Sequence, residues 1–226
     1  MVPWVDLGIP RPKPETIPYS RHEWLESPPL LLEVPVEGHL PSFSDVLSCR
    51  RTRRHFGRLD SLQLASFLWY SCRVIQEGDP FLGFPLSLRP VPSAGAIHPV
   101  HCLVDRGHAC LERYDPLAHG LTQLNYREEL GVELRRATTE VLSPEDAVIL
   151  LFIAEPGMTE AKYDFSNSLV WRDVGVLIGH MALVAEALGL SFCPLGITGE
   201  PWAGKLSDEN KLVGVGMALL GATPGA

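Results

Sequence analysis

Arg50, Arg51, Arg53 and Arg54 fill four of five consecutive positions around Thr52. Guanidinium groups bind phosphate oxygens in pairs through parallel N–H donors, so such a run can hold an anionic group. Thr52 adds a hydroxyl, and Phe56 offers an apolar wall. Further along, Pro92-Ser93-Ala94-Gly95-Ala96-Ile97-His98-Pro99 is a small-residue loop ahead of an apolar segment. Small residues let backbone amides reach a ring edge. A cationic cluster plus a tight backbone loop is what an anionic, planar cofactor needs. Plainer readings stand beside these: a solvated basic turn closing a helix for the arginines, and a turn into a strand for the loop. Lys162-Tyr163 reads by composition as a surface lysine beside a packing tyrosine.

Other chemistries lack their residues. Net charge is −8, from 19 Lys and Arg against 27 Asp and Glu, so nucleic acid is disfavoured and the arginine run is a local site. Cys49, Cys72, Cys102, Cys110 and Cys193 are scattered, odd in number and without a C-x-x-C pair. That argues against a disulfide framework or a zinc site and suits a reducing, cytoplasmic location. His98 and His101 have no third ligand nearby, and in a strand over 99–104 they would fall on opposite faces, so no metal is expected. No dinucleotide fingerprint, phosphate-binding P-loop or G-x-S-x-G elbow is present. Pro3, Asp6 and Pro10 do not suit a signal peptide. The apolar stretch from Val174 to Leu190 is broken by Gly, His and Glu, which predicts no membrane span.

The elements that must position these residues follow from pattern. Residues 1–41 carry nine prolines and read as an extended arm, with Leu30 to Val36 apolar enough to pack on something. Residues 42–226 form the domain. A helix starts after Ser42, with Asp45 completing a capping-box-like start, and runs into the arginines. A second starts near Asp60 and puts Leu64, Phe67, Leu68 and Ser71 on one face. After a Gly/Pro-rich loop over Gly78–Pro92, Val100–Val104 and Ala109–Tyr114 read as strands around a turn at Asp105-Arg106-Gly107. Ala147–Ala154 reads as a central strand. Asp173–Leu188 is the strongest helix, stopped by Gly189, with Gly175 and Gly179 one turn apart and open to a neighbouring helix. Phe192–Leu195 and Leu212–Leu220 read as strands. Helices and strands mix without a regular βαβ repeat, which predicts an α+β fold.

Taken together, these segments resemble the nitroreductase-like flavoenzyme superfamily. Arg50, Arg51, Thr52, Arg54 and Phe56 match a pattern close to R-R-S-x-R-x-F, with Thr in place of Ser. Within it the chain is most similar to the SagB/McbC type, dehydrogenases that oxidise azoline rings in modified peptides. Four segments carry this: Arg89–Pro99; Leu111–Pro116 with His119 and Leu121; Lys162-Tyr163; and Asp173-Val174-Gly175 continuing to Ala187–Leu190.

The resemblance implies an α+β sandwich with a central, mainly antiparallel sheet flanked by helices, in an intertwined homodimer with FMN at the interface. It implies FMN contacts from Arg50, Arg51, Thr52, Arg54, from Pro92, Ser93, Ala94 and Gly95, and from Leu195, Gly196 and Ile197. Lys162 and Tyr163 become the catalytic pair, a base removing an acidic C–H proton while hydride leaves to flavin. The expected substrate is a small molecule or peptide, with biosynthetic enzymes as further partners. Two alternatives share the sequence evidence: a NAD(P)H-dependent nitro- or quinone reductase, and a flavin-less scaffold subunit.

Overall fold

Every residue from Val148 to Ala154 is buried, as expected of a strand covered on both faces. The computed structural model that contains it describes residues 5–36, 38, 40–107, 110–125, 129–207 and 211–225. Residues 1–4, 37 and 39 of the expected arm, and Ala109 of the expected hairpin, lie outside the described residues.

Numbered in chain order, the strands are β1 (Arg11–Pro12), β2 (Leu30–Leu31), β3 (Gln76–Glu77), β4 (Ser87–Leu88), β5 (Val100–Asp105), β6 (Leu111–Asp115), β7 (Gly120–Gln123), β8 (Val148–Ala154), β9 (Tyr163–Asp164), β10 (Leu190–Leu195) and β11 (Val213–Ala222). The helices are α1 (Phe43–Cys49), α2 (Ser61–Cys72), α3 (Glu129–Val141), α4 (Pro156–Glu160) and α5 (Asn167–Ala187). Seven strands form one sheet in the order β10-β11-β8-β5-β6-β7-β2, and every pairing in it is antiparallel. The expected α+β class and central strand are both present.

Strand alternation divides the core between two helical layers. Leu150, Phe152 and Ala154 face one way and pack with Phe67 and Leu68 of α2 and Val174, Leu177 and Met181 of α5. Ile149, Leu151 and Ile153 face the other way and pack with Leu130 and Leu134 of α3 and with Trp202. The expected start after Ser42 is present, with Ser42 Oγ accepting from the Asp45 amide. The structure adds a reciprocal capping box of Asp60 and Gln63 at the expected start of α2. Such a cap contributes about 1 kcal/mol.

α5 begins at Asn167, a turn and a half before the expected start, and ends as expected at Gly189, whose φ is +68°. By length and composition it could cross a bilayer, yet Val174, Leu177, Met181, Val184 and Ala185 are buried against the sheet layer. Gly175 and Gly179 lie on its outer side, where an added β-carbon would meet nothing within 4 Å. Among the described residues, then, no helix packs on the two glycines. The arm is tied to the body by backbone. β1 pairs with β9, and β2 extends the main sheet beside β7. Leu30 and Leu31 stay 66% and 68% exposed, so it is their peptide groups that attach, with Leu32 packing on the core instead.

Candidate active site

The loop after β4 closes on α5. Ser93 Oγ donates to Asp173 Oδ2 at 2.5 Å, and the Ala94 amide donates to the same carboxylate at 3.1 and 3.3 Å. The His98 amide donates to Ser93 Oγ at 2.9 Å. A 3₁₀ turn spans Ala94–Ala96, with Gly95 at φ +67°, a left-handed conformation that glycine adopts without a β-carbon penalty. Burial raises the Asp173 carboxyl above the usual carboxylate range, while the bonds from Ser93 and Ala94 work against that rise.

Gly95 is also where this loop meets Lys162-Tyr163. A β-carbon added at Gly95 would stand 2.9 Å from Tyr163 Oη and 3.1 Å from Lys162 Nζ. Both side chains therefore lie against the one face of the loop that has no side chain. Their position is built from three sides. Pro156 starts the short helix α4, and the Lys162 amide closes its last turn on Thr159 O at 3.1 Å. The arm then pins the segment, with Lys13 N donating to Lys162 O at 2.8 Å and Ile17 N to Ala161 O at 3.0 Å. The Tyr163 ring packs on a small separate core of Leu82, Phe84, Ile97, Met158 and Ala161. Beside the pair opens a cleft of about 350 Å³, lined by Ala94, Tyr163, Leu169, Arg172 and arm residues 8–10. That is the size of a small-ligand site.

The arginine run sits elsewhere. Arg50 caps α1, and Arg51 Nε donates to Cys49 O at 3.1 Å. Arg53 forks onto Glu186 of α5 at 2.5 and 3.0 Å, which lowers the glutamate's pKa and raises the arginine's. Arg50, Arg51, Thr52 and Arg54 remain exposed. The run borders a small concavity shared with Ala182, Glu186, Leu190 and Pro194. Phe56 does not wall it. The Phe56 ring turns into the core beneath β11, so close to Gly221 that a β-carbon there would lie 2.7 Å from Phe56 Cβ.

Asp173 and Glu186 are thirteen residues apart on α5, which is about 20 Å at a rise of about 1.5 Å per residue. The structure thus joins Ser93, Ala94 and Gly95 to Lys162 and Tyr163 at one end of the helix and holds Arg50–Arg54 at the other. Leu195 ends β10, Gly196 and Ile197 follow it, and a β-carbon at Gly196 would meet nothing within 4 Å. His98 and His101 do not point apart as strand alternation predicted. β5 starts at Val100, so His98 precedes it at φ +51°, and both imidazoles line one cavity.

Two features escaped the sequence reading. The tie of Ser93 to Asp173 spans 80 positions and has no local signal. The buried network of Glu155, His101 and His22 is equally non-local: His101 Nε2 meets Glu155 Oε2 at 3.1 Å, and the His22 amide donates to Glu155 Oε1.

An all-antiparallel sheet between two helical layers is a nitroreductase-type α+β architecture. The nitroreductase family model matches residues 50–205, and the chain belongs to that family, which places it among oxidoreductases. A nitroreductase-like protein from Ralstonia eutropha JMP134 is similar at 20% identity and a TM-score of 0.67, over 96% of this chain and 100% of that one. Another, from Anabaena variabilis, is 18% identical at a TM-score of 0.54 over 85% of this chain, which spans only 40% of it. The E. coli microcin synthetase McbBCD complex with truncated pro-MccB17 bound contains a chain 16% identical at a TM-score of 0.57, over 86% of this chain and 78% of that one. No curated protein matches in sequence.

Proposed function

We propose that the chain is an FMN-dependent dehydrogenase of the SagB/McbC type, oxidising an azoline-like ring in a peptide or peptide-like substrate. The observation that carries this is the meeting of Lys162 Nζ and Tyr163 Oη at Gly95, beside an open cleft. Held over a side-chain-free loop face, the Lys162 amine in its unprotonated form would take a proton from a bound carbon acid, with the Tyr163 hydroxyl to share that proton or orient the substrate. The fold it shares with a chain of the microcin synthetase complex supports a peptide substrate and partner enzymes.

The residues present fit the cofactor. Arg50, Arg51 and Arg54 are exposed cations in no ion pair among the described residues, which suits a phosphate, and Thr52 adds a donor. Bound FMN supplies a two-electron acceptor. Pro92, Ser93, Ala94 and Gly95 would border the ring on one side, and the backbone at Leu195, Gly196 and Ile197 on the other. Since Asp173 holds Ser93 and Ala94, that loop offers backbone and Gly95 more readily than the Ser93 hydroxyl. The separation of about 20 Å between the two half-sites favours a homodimer in which each flavin takes its phosphate grip from one chain and its ring contacts from the other. Residues 1–41 act as an arm that braces the Lys162-Tyr163 segment, and 42–226 form the FMN-binding domain. Five thiols without disulfides suit the cytoplasm.

The test begins with the visible spectrum of purified protein and the identity of the released cofactor. Lys162→Ala and Tyr163→Phe should each keep FMN and slow substrate oxidation by roughly 10²–10⁴-fold, the span of a general acid–base group. Colourless protein that takes up no FMN would refute the flavin reading. Fast NAD(P)H oxidation with a quinone, unaffected by either substitution, would replace the dehydrogenase with a reductase.

A further inference from the structure

A cavity of about 50 Å³ lies between α2, α5 and the sheet, and three arginines line it. They come from distant parts of the chain: Arg21 from the arm, Arg89 from just after β4, and Arg113 from β6. Only Arg113 is neutralised, by a bidentate pair with Glu26 at 2.8 and 2.5 Å. Arg89 donates Nε to Ser87 Oγ at 3.0 Å. Among the described residues, no carboxylate lies within ion-pair distance of Arg89 or Arg21.

The nearby groups that could serve as counter-charges do so at most from a distance: the charge of Asp115 acts on Arg89 from beyond ion-pair range, while its Oδ1 accepts from the Leu117 and Ala118 amides. Asp173 reaches the cavity wall but is held by Ser93 and Ala94. Glu155 is held by His101 and His22. Burial pushes the Cys72 thiol up to about 12 and raises the Tyr114 phenol, so neither is anionic at neutral pH. Burial pulls Arg89 down to about 10, and the charge of Arg21 acts in the same direction, yet a guanidinium is still protonated at neutral pH. A partly buried cation whose one hydrogen bond among the described residues goes to a neutral hydroxyl carries a desolvation cost that an anion would offset.

We propose that this cavity is a second anion site, distinct from the Arg50–Arg54 run, and that it binds one carboxylate or phosphate group on Arg89, with Arg21 closing over it from the arm. The room is right: at about 10–15 Å³ for one water, the cavity holds on the order of four water-sized groups, the bulk of one oxyanion. Its location gives the anion a consequence. Pro92 and Ser93 line the same cavity, so a group bound there sits behind the loop whose other face meets Lys162 and Tyr163. The anion is either the carboxylate terminus of a substrate or a free phosphate, and both present the oxyanion edge that an arginine fork accepts.

Titration calorimetry on the protein as purified separates these sources. Acetate and inorganic phosphate are each titrated against a chloride control of equal ionic strength, into the parent chain, Arg89→Met and Arg21→Met. Saturable uptake of one anion per chain is expected, weakened at least tenfold in each variant, the loss of one charge-assisted bond. Acetate uptake assigns a carboxylate source and phosphate uptake a phosphate source. In chloride alone, Arg89→Met should unfold at a higher temperature than the parent, and the gap should close as the binding anion is added. If neither anion saturates, or if both variants bind like the parent, the proposal is overturned. Phosphate uptake at the Arg50–Arg54 run would persist in Arg89→Met and Arg21→Met, so only the uptake that those variants weaken reports this cavity; its failure leaves the flavin reading untouched, and loss of flavin leaves this one untouched.

Discussion

Arg53 forks onto Glu186, its two terminal nitrogens 2.5 and 3.0 Å from the two carboxylate oxygens, and so ties the segment after α1 to the C-terminal end of α5. The four arginines are therefore of two kinds. Arg53 is spoken for, and the Arg53 amide also donates to Phe192 O at 3.3 Å. Arg50 and Arg54 are exposed and free to meet a ligand. Arg54→Ala and Arg50→Ala should weaken FMN retention roughly ten- to a hundredfold with little change in unfolding midpoint, since each removes charge-assisted bonds of about 1.5–3 kcal/mol. Arg53→Ala should instead cost about 1 kcal/mol of stability, given that the pair is partly solvated. FMN titration and urea unfolding on the three variants check both halves. Unchanged FMN affinity in Arg50→Ala and Arg54→Ala would return the run to an ordinary basic turn.

Gly95→Ala tests the loop. Its φ of +67° strains any L side chain, by about 1–2 kcal/mol. The new β-carbon would also press on Tyr163 Oη at 2.9 Å and Lys162 Nζ at 3.1 Å. Both heads are flexible ends and can move, so the fold should survive while the pair shifts. Turnover should fall by at least tenfold at unchanged FMN content. Full turnover in this variant would show that neither head works at the loop face.

Local signals were legible in the chain and non-local ones were not. Ser42 with Asp45, the helix start near Asp60, and the continuous apolar run to Ala154 all act within a few residues, and each appears where pattern placed it. In α3, Leu130, Leu134 and Thr138 recur every four residues on the buried side. Its polar remainder hid the stripe. The tie of Ser93 to Asp173, the brace of Lys13 on Lys162 and the convergence of Arg21, Arg89 and Arg113 join residues from different elements. Only the assembled sheet brings them together, so periodicity has nothing to report about them. For His98 the error was local: its positive φ places it outside the strand, where alternation no longer applies.

Stability should fall in mild acid. Burial takes His101 to about 4 despite the Glu155 bond that opposes it, and burial with the charge of Arg89 takes His98 to about 3. In the unfolded chain an imidazole takes its proton near 6.5. Between about 6.5 and 4 the unfolded chain thus binds protons that the folded chain refuses, so stability is full above this window and is lost as pH drops through it. Each group adds a slope of at most about 1.4 kcal/mol per pH unit. The Glu155 carboxyl sits below its ordinary value because its bonds from His101, His22 and Tyr19 outweigh its burial, and it adds loss in the same direction at lower pH. Urea midpoints from pH 7.5 to 4.5 should decline steadily, and His101→Gln should flatten part of the decline. A level profile across the window would contradict neutral, buried imidazoles.

The outer face of α5 decides the assembly. Trp171 and Val176 are 46% and 43% exposed there, beside Gly175 and Gly179, whose β-carbon positions are empty. A large apolar residue on a stripe of glycines is costly to leave in water and easy to cover with a second chain. In a lone protomer Gly179→Glu would be harmless, or stabilising by up to about 1 kcal/mol through better helix propensity. In a homodimer packed on this face the same carboxylate would be buried without a partner, at a cost of several kcal/mol. The variant should therefore stay folded by circular dichroism, run as a monomer by light scattering, and lose FMN at least tenfold more readily than the parent. A parent that is already monomeric with FMN bound, or a Gly179→Glu chain that stays dimeric and yellow, would remove α5 from the interface and leave the 20 Å gap between the two half-sites to be bridged by some other contact.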